Sequence, residues 1–313
     1  MIDIKGLTKR YGEVTAIDNV CFCLEKGEIL GLLGPNGAGK TTTMRIISGF
    51  MPPSSGTATV AGYDVLEEPR EVKKRVGYMP EHPPLYNEMT VGSYLDFVAR
   101  IKGVPRNQKR SSFERVIEQC GLQKVTGRLI GNLSKGYRQR LGLAQALIHN
   151  PEVLILDEPT IGLDPVQIIE IRELVKTLGD EHTIILSSHI LPEITMICER
   201  VVIINEGKVV VVDSYEGLSA RLKDSEKIAI TVTRPNDQVI PRLKELTGVK
   251  EIFADEGNPN CFVIDSEVKS KIGEEVAKMI VNEGWGLQEM KLMSLTLEDI
   301  YLRLITGKKE ILS

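Results

Sequence analysis

The first sign of chemistry in this 313-residue chain is the segment Gly34–Thr41, which reads GPNGAGKT. It fits the pattern G-x-x-x-x-G-K-[ST], whose glycines let consecutive backbone N–H groups turn toward a phosphate. An apolar strand, Ile29–Leu33, precedes the segment, and a helix pattern follows it, so the amino end of that helix faces the same anion. A glycine-rich turn with an exposed lysine is the alternative, but it does not explain the strand and the helix.

We therefore expect Lys40 to bind the β- and γ-phosphates of a nucleotide, and the Thr41 hydroxyl to bind Mg²⁺. The candidate nucleotide-binding residues of this segment are Gly34, Pro35, Asn36, Gly37, Ala38, Gly39, Lys40, Thr41 and Thr42.

Two acidic residues, Asp157 and Glu158, follow the apolar run Val153–Leu156. In α/β sheets, a carboxylate at the carboxyl end of a buried parallel strand is placed to contact a ligand. Asp157 is expected to bind Mg²⁺ either directly or through an intervening ligand, and Glu158 is the residue expected to polarise a water in line with the γ-phosphate. The alternative is a solvated acidic strand end. Together with the glycine-rich loop, this pair indicates a nucleotide hydrolase and no narrower class.

A third motif narrows the class. Residues Leu133–Arg140 read LSKGYRQR and begin a helix pattern upstream of Asp157. They resemble the signature of ABC ATPases, usually written L-S-G-G-Q, with lysine at the third position and tyrosine at the fifth. Ser134 is an expected helix N-cap. In the family, the equivalent serine also faces the γ-phosphate held by a partner subunit, and Gly136 belongs to the same contact.

Further positions match the same family. Tyr11 resembles the aromatic residue that stacks on adenine, and a tyrosine of the core is its plain alternative. The segment Gly162–Pro165, which contains Asp164, resembles the loop that couples the two sites of a dimer. His189 resembles the histidine that contacts the γ-phosphate, although a histidine after a strand is more often structural.

One position departs from the family pattern. After the strand Val76–Met79 the family usually has a glutamine that senses Mg²⁺ and the attacking water, and this chain has Glu81. Glutamate can still bind Mg²⁺, but it carries a charge and lacks the amide donor. The runs Met79–Tyr86 and Leu297–Tyr301 resemble those of gliding-motility-type and related ABC-2 exporter ATPases. The main resemblance spans residues 1–213.

The resemblance implies an ATP-hydrolysing subunit, with ATP and Mg²⁺ as ligands, that drives a separate membrane permease. It also implies a head-to-tail homodimer in which Gly34–Thr42 of one copy and Ser134–Gly136 of the other hold each nucleotide. In that arrangement Glu158 positions the attacking water, while Lys40 and Mg²⁺ offset the phosphate charge. The implied catalytic residues are therefore Glu158, His189 and Lys40.

The elements that must position these residues alternate along the first two-thirds of the chain. Short apolar strands separated by helix patterns indicate a parallel sheet buried on both faces. The sequence predicts an α/β P-loop NTPase core over residues 1–223, with a helical subdomain near residues 88–148. From residue 224 to 313 the order strand-helix-strand-strand-helix-strand predicts a small α+β, ferredoxin-like domain, and a last helix starts at Leu295. This domain is expected to regulate the chain or to help it dimerise, and a purely structural addition is the alternative.

Composition limits the remaining choices. Hydrophobic residues make up 42% and charged residues 26%, as in ordinary globular proteins, and the net charge of −4 argues against a nucleic-acid-binding surface. No apolar run reaches the roughly 18 residues that span a bilayer, and no signal peptide is evident. We expect a cytoplasmic protein, peripheral on the inner face of the cell membrane. The five cysteines lack a C-x-x-C pair and indicate buried thiols.

Two other classes stay open. One is a soluble ABC ATPase that acts without a permease, on nucleic acid or ribosomes. Such proteins resemble two fused cores or a core split by a coiled coil, whereas this chain has one core and no heptad run. The other is a P-loop regulator or kinase, which the motif around Ser134 argues against.

Overall fold

The computed structural model describes residues 1–214, 217–218, 226–255, 257–266, 272–293 and 301. The chain divides into two compact units, Met1–Tyr215 and Glu216–Ser313. The predicted boundary after residue 223 and the predicted last helix from Leu295 lie outside the described residues. So does all of the run 297–301 except Tyr301.

The first unit alternates strands and helices. Its strands are β1 (Ile2–Tyr11), β2 (Val14–Leu24), β3 (Ile29–Leu33), β4 (Ser55–Val60), β5 (Tyr63–Asp64), β6 (Val76–Met79), β7 (Val153–Asp157), β8 (Thr183–Ser188), β9 (Arg200–Asn205) and β10 (Lys208–Ser214). Its helices are α1 (Lys40–Ile47), α2 (Pro69–Arg75), α3 (Val91–Ile101), α4 (Lys109–Gln119), α5 (Lys135–Leu147), α6 (Pro165–Gly179) and α7 (Leu191–Thr195). Among the helices of the described residues, none is both long enough and apolar enough to cross a membrane.

Six strands form the central sheet in the order β10-β9-β3-β8-β7-β6. All are parallel except β10, which returns antiparallel to β9. Leu33 of β3 lies beside Ser188 of β8, and Asp157 of β7 lies beside Ser187. The last residue of β6 lies beside the penultimate residue of β7. The carboxyl ends of these four strands therefore meet at one edge, which is where α/β sheets bind ligands.

A second sheet of the same unit is antiparallel, with the order β2-β1-β4-β5. Its inward-facing residues, such as Ile4, share one core with Met44 of α1 and Ile185 of the central sheet. Helix α1 is therefore held by buried apolar contacts from both sheets, which fixes the direction of its amino end. The sequence pattern predicts most of these strands, but it does not predict that they form a separate sheet. Cys21 and Cys23 of β2 are exposed, so the expectation of buried thiols is wrong for these two residues.

Helices α3, α4 and α5 occupy the chain between β6 and β7, where the sequence predicts a helical insertion. Thr90 caps α3 and Ser134 caps α5, each by accepting a hydrogen bond from a backbone N–H of the first turn. Helix α5 packs against β6 as well as against α3 and α4. The signature segment is thereby attached to the central sheet through α5.

The second unit has the order β11 (Glu226–Val232), α8 (Val239–Lys244), β12 (Val249–Ala254), β13 (Cys261–Ser266), α9 (Ile272–Asn282) and β14 (Leu287–Met293). Its strands pair antiparallel in the order β12-β13-β11-β14. This is the ferredoxin-like arrangement that the sequence predicts. Alternate residues of the strands and one face of each helix meet in a separate core around Ile230, Ile264, Val276 and Trp285.

Candidate nucleotide-binding site

The phosphate-binding loop, residues 34–39, joins β3 to α1 and depends on its glycines. Gly39 caps α1 with a φ of 106°, a conformation that side chains other than hydrogen rarely allow. A Cβ at Gly34 would lie 2.3 Å from Ile204 O, and one at Gly39 would lie 2.8 Å from Ala16 O. The neighbouring strands thus approach too closely for any other residue, and the loop can direct its N–H groups at a phosphate.

The turn between β9 and β10 holds this loop in place. Gly207 N donates to Ala38 O at 3.0 Å, and Gly207 O accepts from Asp18 N at 2.8 Å. Gly207 has a φ of 77°, and a Cβ there would lie 2.8 Å from Ala16 O. Main-chain hydrogen bonds therefore connect the phosphate-binding loop to β2 through a single glycine.

Lys40 lies in the first turn of α1 and is buried. Its Nζ donates to Gly34 O at 2.7 Å and lies 3.5 Å from Glu158 Oε1. His189 Nδ1 lies 2.9 Å from the other oxygen of Glu158, Oε2, and donates a hydrogen bond to it. The three residues predicted to be catalytic are therefore brought together in one continuous line at the carboxyl edge of the sheet.

The backbone of Glu158 is left-handed, with a φ of 49°. This conformation is uncommon for a residue with a Cβ, and it is found most often where the surrounding structure enforces it at a functional site. Glu158 N donates to Ser187 Oγ at 2.9 Å, and Ser187 Oγ donates to Asp157 Oδ1 at 2.7 Å. One hydroxyl of β8 thus fixes both acidic residues at the end of β7.

Asp157 is fully buried, and its second oxygen, Oδ2, has no hydrogen-bond partner among the described residues. An unpaired carboxylate oxygen is unfavourable in the interior, and a hard cation such as Mg²⁺ is the ligand that would satisfy it. Beside it, burial raises the pKa of Tyr78 to about 12, with a further contribution from the charge of Asp157. Tyr78 therefore stays a neutral phenol next to this carboxylate.

The other predicted metal ligands, Thr41 and Glu81, are partly exposed. Thr41 and Thr42 lie in the first turn of α1, and Glu81 follows β6 at 3.7 Å from His82 Nδ1. In the described part of the chain, no group of three His, Cys, Asp or Glu residues could hold a metal by itself. A Mg²⁺ ion bound here would therefore complete its shell with phosphate oxygens and water.

Tyr11 ends β1 and is about half exposed, so the alternative of a core tyrosine is wrong. Its hydroxyl donates to Met51 Sδ at 3.0 Å, and Lys9 Nζ lies 5.4 Å from the ring centroid. An exposed aromatic ring that is held in place through its hydroxyl group can stack on a flat base.

Ser134, Gly136 and Asp164 lie outside this group. Ser134 caps α5 and Asp164 caps α6, each through a backbone N–H. Gly136 lies beside Gln167 of α6, since a Cβ on Gly136 would lie 2.7 Å from Gln167 Oε1. Within the described residues, none of the hydrogen bonds or ion pairs joins these positions to the loop at 34–42.

Three further residues shape the site although the motifs do not single them out: Ser187, Glu193 and Gly207. Ser187 is polar at the end of an apolar strand, and the rule that ligands bind at carboxyl strand ends could have indicated it. Gly207 is recognisable as a turn residue, but its bond to the phosphate-binding loop depends on tertiary structure. Glu193 gives no sequence signal beyond being acidic.

A parallel sheet that carries this loop between β3 and α1 defines a P-loop nucleotide-binding protein. The sequence model of the family described as ABC transporter matches residues 17–161. The chain belongs to the ATP-binding proteins of the ABC transporters. It is therefore an ATP-binding subunit of such a transporter and an ATP hydrolase, which confirms the resemblance inferred from the LSKG motif.

The similarity to individual relatives extends over nearly the whole chain. The chain is 35% identical over 311 residues to the bacitracin transport ATP-binding protein BcrA of Bacillus licheniformis, covering 98% of each chain. It is 33% identical to the daunorubicin resistance ATP-binding protein DrrA2 of Streptomyces coeruleorubidus, covering 98% of this chain and 95% of that protein. A dimeric structure of a bacterial ABC transporter cassette has a TM-score of 0.63 and 25% identity, covering 68% of this chain and 98% of that chain.

Proposed function

We propose that this chain hydrolyses Mg-ATP as one half of a head-to-tail homodimer and thereby drives a separate exporter permease. The observation that carries the proposal is the line of contacts from Lys40 through Glu158 to His189 at the carboxyl edge of the central sheet. It joins a cation, a carboxylate and an imidazole next to a loop shaped for phosphates.

Each residue has a separate task in this proposal. Lys40 and the N–H groups of residues 34–39 bind the β- and γ-phosphates, and Tyr11 stacks on adenine. Glu158 orients the attacking water and accepts its proton, and His189 contacts the γ-phosphate. Asp157, Thr41 and Glu81 would hold Mg²⁺, which when bound supplies positive charge that stabilises the phosphate oxygens.

The position of the signature segment supports the proposed dimer. Ser134, Gly136 and Asp164 make no hydrogen bond to the phosphate-binding loop of their own copy in the described residues, so they are available to a second copy. A two-fold arrangement would place Ser134 and Gly136 of one copy over residues 34–42 of the other. The dimeric bacterial cassette with the same fold supports this arrangement.

The exporter assignment comes from the named transport and resistance proteins BcrA and DrrA2, which the chain resembles over almost its full length. We propose that the chain is peripheral on the cytoplasmic face of a membrane, bound to the permease. We further propose that residues 1–223 hydrolyse ATP, with residues 88–148 as a helical subdomain, and that residues 224–313 support dimerisation or coupling.

Replacement of the proposed base tests this function. Glu158→Gln keeps the size of the side chain but removes proton acceptance, so ATP binding should persist while turnover falls about 100- to 10,000-fold. Because bound ATP is then not consumed, gel filtration with Mg-ATP should show a shift from monomer to dimer. Both quantities are measured on the purified full-length chain.

The matched control is Glu173→Gln, on the exposed surface of α6. It should leave turnover unchanged and show no ATP-dependent shift. Wild-type turnover in Glu158→Gln would contradict the assignment of the base, and the absence of any dimer with trapped ATP would contradict the head-to-tail arrangement.

A further inference from the structure

A buried glutamate outside the nucleotide motifs connects the two loops that carry Glu158 and His189. Glu193 lies in α7 with only 4% of its surface exposed. Its Oε2 accepts a hydrogen bond from Thr160 Oγ1 at 2.6 Å and another from Ser188 Oγ at 3.0 Å. A buried carboxylate is unfavourable unless it is hydrogen-bonded, and here two neutral hydroxyls supply the bonds.

The two donors lie next to the catalytic residues in sequence. Thr160 is two residues after Glu158, and Ser188 immediately precedes His189. Ser188 Oγ also accepts a hydrogen bond from Ile190 N at 3.0 Å, which closes a tight turn around His189. One hydroxyl therefore donates to Glu193 and accepts from the backbone beyond His189, so Glu193 anchors the histidine loop.

The same carboxylate borders a small cavity that reaches the catalytic pair. The cavity has a volume of about 180 Å³, and its polar wall is formed by Glu158, Thr160, His189 and Glu193. A space of this size with several polar groups can hold ordered water. Loss of the Glu193 side chain would enlarge it and release both loops into it.

We propose that Glu193 is a positioning residue, which keeps His189 within hydrogen-bond distance of Glu158 by joining the loop after β7 to the loop after β8. This inference rests on the roles proposed above for Glu158 and His189. Ser187 already fixes the backbone of Glu158 from one side. Glu193 supplies a further connection, which joins Ser188 to Thr160 in addition to the hydrogen bond between His189 and Glu158.

The test compares Glu193→Ala with Glu193→Gln in the full-length protein. The glutamine oxygen can still accept both hydroxyl protons, so Glu193→Gln should retain turnover within about threefold of wild type. Glu193→Ala cannot, and a displacement of about 1 Å in catalytic geometry lowers turnover roughly 100-fold. The KM for ATP should change much less than turnover in both variants, because Lys40 and the N–H groups of residues 34–39, which are proposed to hold the β- and γ-phosphates, lie outside this network.

Two comparisons separate positioning from a loss of stability. Val175→Ala removes buried methyl groups from α6, away from the site, and should lower the melting temperature without lowering turnover per folded molecule. Thr160→Val combined with Glu193→Ala should be no slower than Glu193→Ala alone, since both changes remove the same bond.

The proposal is overturned if Glu193→Ala turns over within twofold of wild type, or if Glu193→Gln is as slow as Glu193→Ala. It is also overturned if a smaller folded fraction accounts for the whole loss of turnover in Glu193→Ala. An inactive Glu158→Gln measured in parallel shows that the proposed function stands even when the Glu193 inference fails. If Glu158→Gln is active instead, the proposed function itself is contradicted.

Discussion

At the scale of single residues, the chain surrounds one buried ammonium group with oxygen atoms. Lys40 Nζ contacts Gly34 O at 2.7 Å, Pro35 O at 3.3 Å and Glu158 Oε1 at 3.5 Å. All three acceptors are at the carboxyl edge of the sheet, so the lysine is directed at the place where the phosphates are proposed to bind. A point charge held in this way suits a phosphate anion.

Lys40→Ala should therefore weaken ATP binding. A hydrogen bond to a charged group contributes about 1.5–3 kcal/mol, which corresponds to a loss in affinity of about 10- to 150-fold. Turnover should fall as well. Isothermal titration with ATP measures the first effect and phosphate release the second. Lys74→Ala, an exposed lysine of α2 that pairs with Glu71, is the control and should change neither. Unchanged ATP affinity in Lys40→Ala would contradict the role of the lysine.

How much of the site the sequence could predict is clear at this scale. The motifs predict Lys40, Glu158 and His189, and the structure brings these three side chains together. They do not identify Ser187 or Glu193, because many polar residues could stand at those positions. Ser187 reaches Glu158 through the register of β7 and β8, and Glu193 reaches Thr160 from α7, so both contacts join residues about thirty positions apart in the chain.

At the scale of elements, the phosphate-binding loop is hydrogen-bonded to a hairpin that contains none of the proposed nucleotide-binding or catalytic residues. The turn between β9 and β10 donates to Ala38 O and accepts from β2 through the two main-chain groups of Gly207. The strands of this hairpin are apolar enough to be predicted from sequence, and so is the turn. The short elements β5, α2 and α7 are not predicted, because two to seven residues do not show a period clearly.

Gly207→Ala should weaken both the fold and nucleotide binding. The left-handed conformation alone costs about 1–2 kcal/mol for a residue with a Cβ, and here the Cβ would also press against Ala16 O at 2.8 Å. Gly62→Ala is the matched control, since Gly62 has a φ of 86° with nothing within 4 Å of a Cβ. Both variants should lose unfolding free energy in a denaturant titration, but only Gly207→Ala should bind ATP more weakly. Equal ATP affinities would show that the turn does not support the loop.

At the scale of the whole molecule, the chain contains two units with separate cores. The first carries every residue of the candidate site, and the described part of the second contains none of them. The ferredoxin-like topology could be predicted because its strands and helices alternate in an ordinary pattern. Its role could not, because a fold does not by itself imply a function.

A chain ending at Lys223 tests that role. Because the site and its core lie in the first unit, the shortened chain should bind ATP with unchanged affinity. ATP-dependent dimerisation of Glu158→Gln, or stimulation of turnover by the permease, should be weaker in the shortened chain than in the full one. Analytical ultracentrifugation measures the first and reconstituted ATPase activity the second. If both are normal, the second unit is a structural addition.

The left-handed backbone of Glu158 lowers the stability of the fold, whereas its side chain is proposed to be needed for turnover. The fold carries this conformation at a cost of about 1–2 kcal/mol, and glycine or asparagine would adopt it more readily than glutamate does. Random variants chosen only for heat resistance should therefore replace Glu158 and lose turnover. Variants chosen for transport should keep it and gain heat resistance elsewhere. The residue preferred at position 158 would then reveal which of the two properties a population of sequences had been selected for.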